Sequence, residues 1–390
     1  MKYVQTAPFQ ISLQRLRLWP YFAREWFANR KYAGEIAQGR QFLQQVCLQP
    51  RWKRIFIFAP GLSWDKQLFQ RPQQLAWALA QQDALVFYWE PPHRPPYTGI
   101  HQFTENLFWV DLPSAVLTAI PHPVIYQLPW TYPLGVEPAG AQLIYDIVDD
   151  FSTFRINQKL LMQLHQQRMQ TARLVLASAK DLVERFSQER EDILYCPNGV
   201  RMADFERQLP VPADMAELMA QEKPIAGYVG AIAEWFDYDL LKETAAALPE
   251  VNFVLIGPSE GAHLAESGLL EYANLHWLGV KPYEQIPAYI QTFSAGLIPF
   301  KLMPLTHAVS PLKLFEYYAA GKPAVITAMR ESSQIAHVFS AEGAAAFQSK
   351  LLQAFEAGKA PGFQEALRDT ARVNTWAARA RLIIENLAMV

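Results

Sequence analysis

Residues 224–241, PIAGYVGAIAEWFDYDLL, run from an apolar segment through a glycine turn into a helical pattern. The apolar segment contains β-branched and aromatic residues, which favour strands, and apolar residues recur at helical spacing after Asp237. Gly227 and Gly230 leave little side chain between the two elements, as a tight turn requires. The segment is therefore predicted to be one strand–turn–helix unit of a parallel α/β sheet.

The same alternation extends through both halves of the chain. In the second half, strands are predicted over 224–230, 252–258, 274–280, 294–300 and 324–327, with helices near 238–248, 283–292, 311–320 and 347–357. In the first half, strands are predicted over 54–60, 84–90, 107–112, 123–128, 142–148, 173–178 and 192–196, with helices from Pro72 and over 157–171 and 179–187. The sequence therefore predicts two doubly wound, Rossmann-like α/β domains facing a cleft, where the ligands of such sheets bind.

A turn-rich segment, CPNGVRMADF at 196–205, separates the two halves and is followed by a polar stretch that contains prolines. The length of 390 residues also exceeds what one hydrophobic core usually supports. We predict an N-terminal extension over 1–53, an N-terminal Rossmann-like domain over 54–205, a C-terminal one over 206–374 and a final helix over 375–390. The final helix is able to cap either domain.

The overall charge is nearly balanced, with 35 basic against 37 acidic residues, which argues against a global field that attracts nucleic acid. Residues 1–54, in contrast, carry an excess of about eight positive charges among many aromatic residues. This mixture suits a helix at an anionic membrane surface, but a helical extension packed on the first domain explains it equally well. No apolar run is long enough for a membrane span and no signal peptide is visible. The prediction is a cytoplasmic protein, peripheral at the cytoplasmic membrane if the extension binds lipid.

Adjacent carboxylates follow a predicted strand in YDIVDDFSTF, residues 145–154. Asp149 and Asp150, together with Asp146, stand at the carboxyl end of that strand, where a doubly wound sheet places reacting groups. Neighbouring carboxylates raise one another's pKa and can supply a general base. Asp150 can equally begin a turn or cap a short helix. Asp149 and Asp150 are the candidate catalytic residues.

The loop after the first strand of the N-terminal domain, in APGLSWDKQLFQRPQQL at 59–75, offers groups for a second ligand. Trp64 can stack on a sugar ring, and Arg71, near a helix start, can meet an anion. Equally, Trp64 can belong to the core and Arg71 can be solvated. Gly61, Trp64 and Arg71 are the candidate acceptor-binding residues.

No metal site is predicted. Asp237 and Asp239 have the Asp-x-Asp spacing of some metal sites, but they stand where a helix starts, and N-capping with the helix dipole explains both carboxylates better. Cys47 and Cys196 lack metal-ligand spacing and are more typical of packed apolar residues. The histidines form no nucleophile pattern with serine or cysteine, and there is no P-loop.

The segment SPLKLFEYYAAGKPAVIT, residues 310–327, contains an unexplained pair of charges. Ser310 is predicted to cap a helix that begins at Pro311 and ends at Gly321. Lys313 and Glu316 stand three residues apart on that helix, in a segment otherwise built for burial. They are either a surface ion pair or the holders of a ligand.

Three stretches, in this order and spacing, resemble the glycosyltransferases of GT-B fold, above all the large retaining group that includes bacterial polysaccharide and teichuronic acid transferases. They are YVGAIAEWFDYDLL at 228–241, NLHWLGVKPYEQIPAYIQTFSAGLIPF at 274–300 and SPLKLFEYYAAGKPAVI at 310–326. CPNGV at 196–200 and QRPQQLAWALA at 70–80 are also similar to this group. The resemblance runs from about residue 54 to the end. It implies a nucleotide-sugar donor on the C-terminal domain, an acceptor on the N-terminal one, and no metal or other cofactor.

The resemblance also implies roles for individual residues. Glu316 stands where the family's glutamate hydrogen-bonds the ribose, and the loop at Gly230 and Ala231 stands beside the diphosphate. Lys313 matches a lysine that neutralises the diphosphate in a subset of these enzymes, and the loop at Val280 matches the place that receives the base. The predicted donor-binding residues are Gly230, Ala231, Val280, Ser310, Lys313 and Glu316.

Two departures from the family pattern bear on the reaction. A second glutamate often stands eight positions before the ribose-binding one, and here that position is Ala308. The usual Arg and Lys of the phosphate loop are replaced by residues 232–236. The resemblance implies a hexosyl or related transferase that moves a sugar to a hydroxyl group of a glycan or lipid-linked acceptor in cell-surface polysaccharide biosynthesis. A nucleotide-sugar-binding protein without turnover is the alternative, and retention and inversion both stay open.

Overall fold

A computed structural model describes residues 23–64, 68–90, 98–132, 134, 136–151, 157–261 and 263–389. It contains an eight-stranded sheet in the first half of the chain and a six-stranded sheet in the second. Both are doubly wound α/β sheets with helices along the chain between their strands. The predicted fold class of two Rossmann-like bodies is confirmed.

The N-terminal body follows a helix, α1 (Ala33–Cys47). Its elements in chain order are β1 (Arg54–Phe58), α2 (Arg71–Ala80), β2 (Ala84–Trp89), β3 (Gly99–Thr104), β4 (Leu107–Asp111), β5 (Val124–Gln127), β6 (Gln142–Ile147), α3 (Gln158–Thr171), β7 (Leu174–Ala177), α4 (Lys180–Phe186) and β8 (Leu194–Tyr195). The strand order is β3-β4-β2-β1-β5-β6-β7-β8. The direction of winding therefore reverses between β1 and β5, which are parallel neighbours.

The C-terminal body begins after the linker with α5 (Ala216–Ala220). It continues with β9 (Ile225–Val229), α6 (Tyr238–Ala247), β10 (Asn252–Ile256), α7 (His263–Glu266), β11 (Leu275–Trp277), α8 (Ile286–Thr292), β12 (Ala295–Ile298), α9 (Pro304–His307), α10 (Leu312–Ala319), β13 (Ala324–Thr327), β14 (Phe339–Ala341), α11 (Ala344–Gly358), α12 (Pro361–Val373) and α13 (Trp376–Met389). The strand order is β11-β10-β9-β12-β13-β14. Here the winding reverses between β9 and β12.

Two edge strands were not predicted. β3 pairs antiparallel with β4, whereas the other neighbouring strands of both sheets that the structure describes are parallel. β3 is partly exposed along its length. Its sequence GIHQFT therefore lacks the continuous apolar run by which the central strands were recognised. β14 is a three-residue strand at the other sheet's edge and is also only partly buried. Central strands such as β2 and β10 are buried along their whole length.

The last helix, α13, returns to the N-terminal body. Trp376, Ala380, Ile383 and Leu387 are buried in the same apolar cluster as Leu75 of α2. An isolated parallel bridge between Val200 and Thr375 joins the linker to the start of this helix. Sequence alone left the partner of this helix open, and the structure assigns it to the first body.

Helix α10 begins one residue later than predicted, and its cap differs. Pro311 occupies the N-cap position, and no side chain caps the helix. The Ser310 hydroxyl group accepts a hydrogen bond from the Asn198 N–H at 3.3 Å instead. The predicted Ser310 cap is therefore wrong, because that oxygen is used for a contact with the linker.

The start of the chain up to residue 22 lies outside the described residues, so the extension is described from residue 23. Residues 23–31 are helical, and α1 packs on the first sheet through Leu43 and Val46. Trp26 and Phe27 are 52% and 65% exposed. In the described part of the chain, no helix has the length and hydrophobicity needed to cross a membrane.

Candidate functional site

A cavity of about 490 Å³ lies between the two bodies, at the ends of β5, β6, β9, β10 and β12. The N-terminal body contributes residues including Phe69, Arg71, Leu128, Trp130 and Asp149. The C-terminal body contributes residues including Tyr228, Gly230, Ala231, Trp235, Val280, Tyr283, Phe300, Ser310, Lys313 and Glu316. All six predicted donor-binding residues therefore line this cavity on the side of the C-terminal body.

Lys313 is half-buried and presents its ammonium group to this cavity. Its Nζ lies 5.1 Å from the ring centroid of Tyr228 and 5.0 Å from that of Phe300. Among the described residues, no oxygen accepts a hydrogen bond from this ammonium group. Burial lowers the pKa of Lys313 to about 8, and the neighbouring Glu316 opposes that shift. A desolvated cation that lies against aromatic faces favours the arrival of an anion.

The loop after β9 brings the backbone close to Lys313. Gly230 has φ +143°, and a Cβ atom there would lie 2.9 Å from Lys313 Cε. The Gly230 N–H donates to the Ile256 carbonyl at 2.9 Å, so it is not free for a phosphate. In the part of the chain that the structure describes, the Ala231 N–H has no such acceptor. Of the two predicted phosphate-loop donors, Ala231 is thus the one with an available N–H.

Glu316 lies one helical turn beyond Lys313 and is buried. Burial raises its pKa to about 7, while Lys313 and a hydrogen bond from Tyr283 lower it. Within the described residues, Lys313 and Glu316 form no ion pair. The alternative of a surface salt bridge is therefore wrong, because the two side chains are not paired and both line the cavity.

Of the three neighbouring aspartates, Asp149 is the one that lines this cavity. It is half-buried at the end of β6, and burial raises its pKa to about 7. Arg71 lowers that pKa, whereas Asp150 and Asp146 raise it further. A carboxyl group that titrates near neutral pH is suited to accept a proton from a ligand.

The side chains of Asp150 and Asp146 do not line the cavity. The Asp150 carboxylate forms an ion pair with Arg185. Asp146 is fully buried, and it accepts hydrogen bonds from Arg71 and from the Tyr126 hydroxyl group. The two neighbours of Asp149 are therefore engaged inside the protein.

Arg71 lines the cavity, but its guanidinium group is already occupied. Its Nε lies 2.7 Å and its Nη2 3.1 Å from the two Asp146 oxygens, and its Nη1 donates to Asn198 Oδ1 at 3.1 Å. The expectation that Arg71 meets an anionic ligand is corrected, because its anion is the buried Asp146. Sequence analysis missed this pairing, because the two residues are 75 positions apart and only the fold brings them together.

Gly61 and Trp64 do not line the cavity. The Trp64 ring stacks on Phe103 with 4.6 Å between ring centroids, so the core interpretation holds better than an acceptor-stacking one. A Cβ atom at Gly61 would lie 3.6 Å from Trp130 Cδ1. Trp130 itself lines the cavity beyond the end of β5. Trp130 was not predicted as a site residue. It follows a strand, however, and Asp149 was selected for that same reason.

The remaining sequence features have structural explanations. The Asp237 side chain caps α6 by accepting from the Leu240 N–H at 3.1 Å, and Asp239 pairs with Lys242 on the surface, so the capping interpretation is confirmed. Ala308 is buried among apolar side chains of the N-terminal body. No group of three His, Cys, Asp or Glu side chains is gathered among the described residues in a way that could hold a metal ion.

Similar proteins share this architecture. No protein-family model matches the sequence. A putative teichuronic acid biosynthesis glycosyltransferase, TuaH of Bacillus subtilis, is 31% identical over 157 residues, which are 40% of this chain and 39% of that protein. The match thus spans about two fifths of the length of each protein.

Solved structures match over most of the chain. Sucrose-phosphate synthase from Thermosynechococcus elongatus gives a TM-score of 0.63 at 15% identity, over 85% of this chain and 97% of that one. Anabaena HepE in complex with UDP gives 0.59 at 14% identity, over 87% and 100%. Trehalose-6-phosphate from E. coli bound with UDP-2-fluoro glucose gives 0.64 at 11% identity, over 87% and 99%. The chain therefore has the GT-B fold that the sequence resemblance implies.

Proposed function

We propose that this protein is a glycosyltransferase that moves a sugar from a nucleoside-diphosphate sugar to a hydroxyl group of a glycan or lipid-linked acceptor. The observation that carries the proposal is the half-buried Lys313, whose ammonium group faces the cavity without a hydrogen-bond acceptor in the described residues. Glu316 stands one turn further along the same wall. A cation for a diphosphate and a carboxylate for a ribose are thus separated by one helical turn.

The donor's diphosphate lies between Lys313 and the Ala231 N–H, and the Glu316 carboxylate accepts hydrogen bonds from the ribose hydroxyl groups. The base lies by Val280, at the open end of the cavity, where this side chain is exposed. Cleavage of the sugar–phosphate bond develops negative charge on the leaving diphosphate. Lys313 therefore stabilises the transition state more than the ground state.

The acceptor's hydroxyl group attacks the sugar from the side of the N-terminal body. Asp149 receives its proton, because its carboxyl group faces the cavity and its pKa is raised to about 7. The direct displacement that this base assists inverts the anomeric configuration. Ala308 supports this version, because an apolar residue stands where many retaining relatives have a carboxylate.

The acceptor belongs to cell-surface polysaccharide synthesis at the cytoplasmic face of the membrane. The similarity to a putative teichuronic acid transferase supports this class of acceptor. The UDP and UDP-2-fluoro glucose in two structures of the same fold support a nucleotide-sugar donor, of the hexosyl or a related class. The exposed Trp26 and Phe27, with Arg30 over the Trp26 ring at 4.7 Å, provide a basic and aromatic surface for an anionic membrane. No metal or other cofactor takes part in the proposed reaction.

Calorimetric titration with UDP, GDP, ADP and dTDP tests the donor assignment. Wild type is expected to bind at least one of them, and Lys313→Met is expected to weaken that binding by roughly tenfold or more, as loss of a charge-assisted contact does. Lys322→Met is the matched control, because Lys322 follows the same helix but does not line the cavity. Equal affinity of the Lys313 and Lys322 variants would contradict the proposal.

A nucleotide-sugar-binding protein without turnover is the second candidate. Residues 232–236 bring no cation to the cavity, and their Ile232, Ala233 and Phe236 belong to the core. Among the described cations that line the cavity, Lys281 is paired with Asp214 and Arg71 with Asp146, so Lys313 is the one left to meet the diphosphate charge. A panel of nucleotide sugars with product analysis separates the two functions, because a binding protein releases neither transferred product nor free nucleotide.

A further inference from the structure

The Asn198 side chain connects the two bodies across the cleft. Its Oδ1 accepts a hydrogen bond from Arg71 Nη1 at 3.1 Å, and its Nδ2 donates to the carbonyl oxygen of Ser310. Its backbone N–H donates to the Ser310 hydroxyl group at 3.3 Å. Asn198 is 7% exposed, so these bonds are largely protected from water.

Each end of this hydrogen-bonded connection leads to residues with a proposed role in the reaction. On one side, Arg71 is held by two bonds to Asp146 of β6, the strand that Asp149 follows. On the other side, Ser310 stands two residues before α10, the helix that carries Lys313 and Glu316. One carboxamide thus links the strand of the proposed base to the helix of the proposed donor site.

The backbone of Asn198 is itself fixed. Its carbonyl oxygen accepts from Arg379 Nη2 at 3.3 Å. A Cβ atom on the next residue, Gly199, would lie 2.8 Å from the backbone nitrogen of Trp376, so the linker is packed directly on α13. Because its backbone is fixed in this way, the Asn198 side chain can determine the positions of the groups to which it is hydrogen-bonded.

The position requires a carboxamide. Asn is able to donate and accept with one short side chain, whereas Asp has no donor for the Ser310 carbonyl and Ala has neither group. Two bodies in one chain move relative to each other unless specific contacts restrain them. Loss of the Asn198 bonds leaves buried polar groups unpaired on both sides of the cleft.

We propose that Asn198 is a positioning residue that orients α10 relative to β6, so that Lys313 and Asp149 face one substrate. The inference rests on the proposed function for its catalytic consequence, but the link between the bodies does not depend on it. Nucleotide binding uses groups of the C-terminal body alone, so it does not require this orientation.

Kinetics of Asn198→Ala and Asn198→Asp test the proposal. Both variants are expected to lower kcat roughly 10- to 100-fold, since small misplacements of reacting groups have effects of this size. The Kd for the nucleoside diphosphate that binds wild type is expected to change less than about twofold. Asn198→Asp retains the Arg71 contact and loses the Ser310 one, so it isolates the link to α10 if the alanine variant does not fold.

Asn274→Ala is the control for a purely structural asparagine. Asn274 Nδ2 donates to carbonyl oxygens within the C-terminal body, at Ala245, Leu248 and Val251. This control is expected to lower Tm without lowering kcat of the folded protein. A similar loss of kcat in the control and in Asn198→Asp would overturn a positioning role.

Distances between spin labels report the orientation without any reaction. Labels at Gln102→Cys and Lys359→Cys, in a Cys47→Ser background, sit on exposed positions of the two bodies, while Cys196 is buried. The parent is expected to give one narrow distribution and both Asn198 variants a broader or shifted one. An unchanged distribution would overturn the proposal. A broadened distribution in a protein that binds no nucleotide would uphold the link and contradict the proposed function.

Discussion

Lys313 and Glu316 stand one helical turn apart in the same cavity wall, and within the described residues neither is the other's ion-pair partner. Burial shifts their pKa values in opposite directions, to about 8 and about 7. Two desolvated charges that form no direct ion pair are costly to the folded protein. Such an arrangement is typical of a site whose ligand supplies the missing contacts.

Glu316→Ala is expected to weaken nucleoside diphosphate binding by about 1.5–3 kcal/mol, because two ribose hydroxyl groups lose a charged acceptor. This corresponds to roughly ten- to hundredfold in Kd by calorimetric titration. A titration with inorganic pyrophosphate, which lacks ribose, serves as the control, because Glu316→Ala is not expected to weaken its binding. Unchanged affinity for the nucleotide would remove the ribose assignment.

Turnover is expected to have a bell-shaped pH dependence. Asp149 acts as a base when it is deprotonated, so kcat/KM rises through its pKa of about 7. Lys313 acts when it is protonated, so kcat/KM falls through its pKa of about 8. Lys313→Arg is expected to remove the fall on the alkaline side and leave the rise on the acidic side. An alkaline limb that persists in Lys313→Arg would exclude Lys313 as its cause.

Asp149→Asn and Asp150→Asn are expected to differ. The first removes the group that faces the cavity and slows transfer by roughly 10²- to 10⁴-fold, the usual contribution of a general base. The second breaks an ion pair with Arg185 outside the cavity, so it acts on Tm more than on kcat. Equal, small effects of both on kcat would remove the only base assigned to the reaction and favour retention.

Stability provides a second view of Asp149 that needs no substrate. Its pKa is raised from 3.8 unfolded to about 7 folded, so the favourable contribution of the protonated form is present at pH 4 and lost as pH rises through 7. Asp149→Asn is therefore expected to raise Tm relative to wild type at pH 8 but not at pH 4. A pH-independent difference in Tm would argue that the carboxyl group is solvated.

How far the sequence leads depends on the kind of feature. The central strands and Lys313 and Glu316 were predictable, because long apolar runs and charges in an apolar helix are local signals. The ion pair of Arg71 was not predictable, because its partner Asp146 is 75 residues away and only the fold brings the two together. For the same reason Asn198 was recognised as part of a turn and of a family-like segment, but not as a side chain that spans the cleft. Central strands are covered on both faces and are therefore continuous apolar runs. An edge strand such as β3 is partly exposed, so its sequence lacks such a run.

Deletion of residues 1–50 would be one test of the predicted membrane binding. Substitution of two exposed residues is a better test. Leu43 and Val46 of α1 belong to an apolar core cluster, so that deletion would uncover the N-terminal sheet. Trp26→Ser with Phe27→Ser changes two exposed side chains and leaves the core intact. Sedimentation with anionic vesicles is expected to fall several-fold in the double variant, because the buried apolar area at the interface is lost. Vesicles of neutral lipid serve as the control, and equal sedimentation of both proteins with anionic vesicles would remove the role of these two residues.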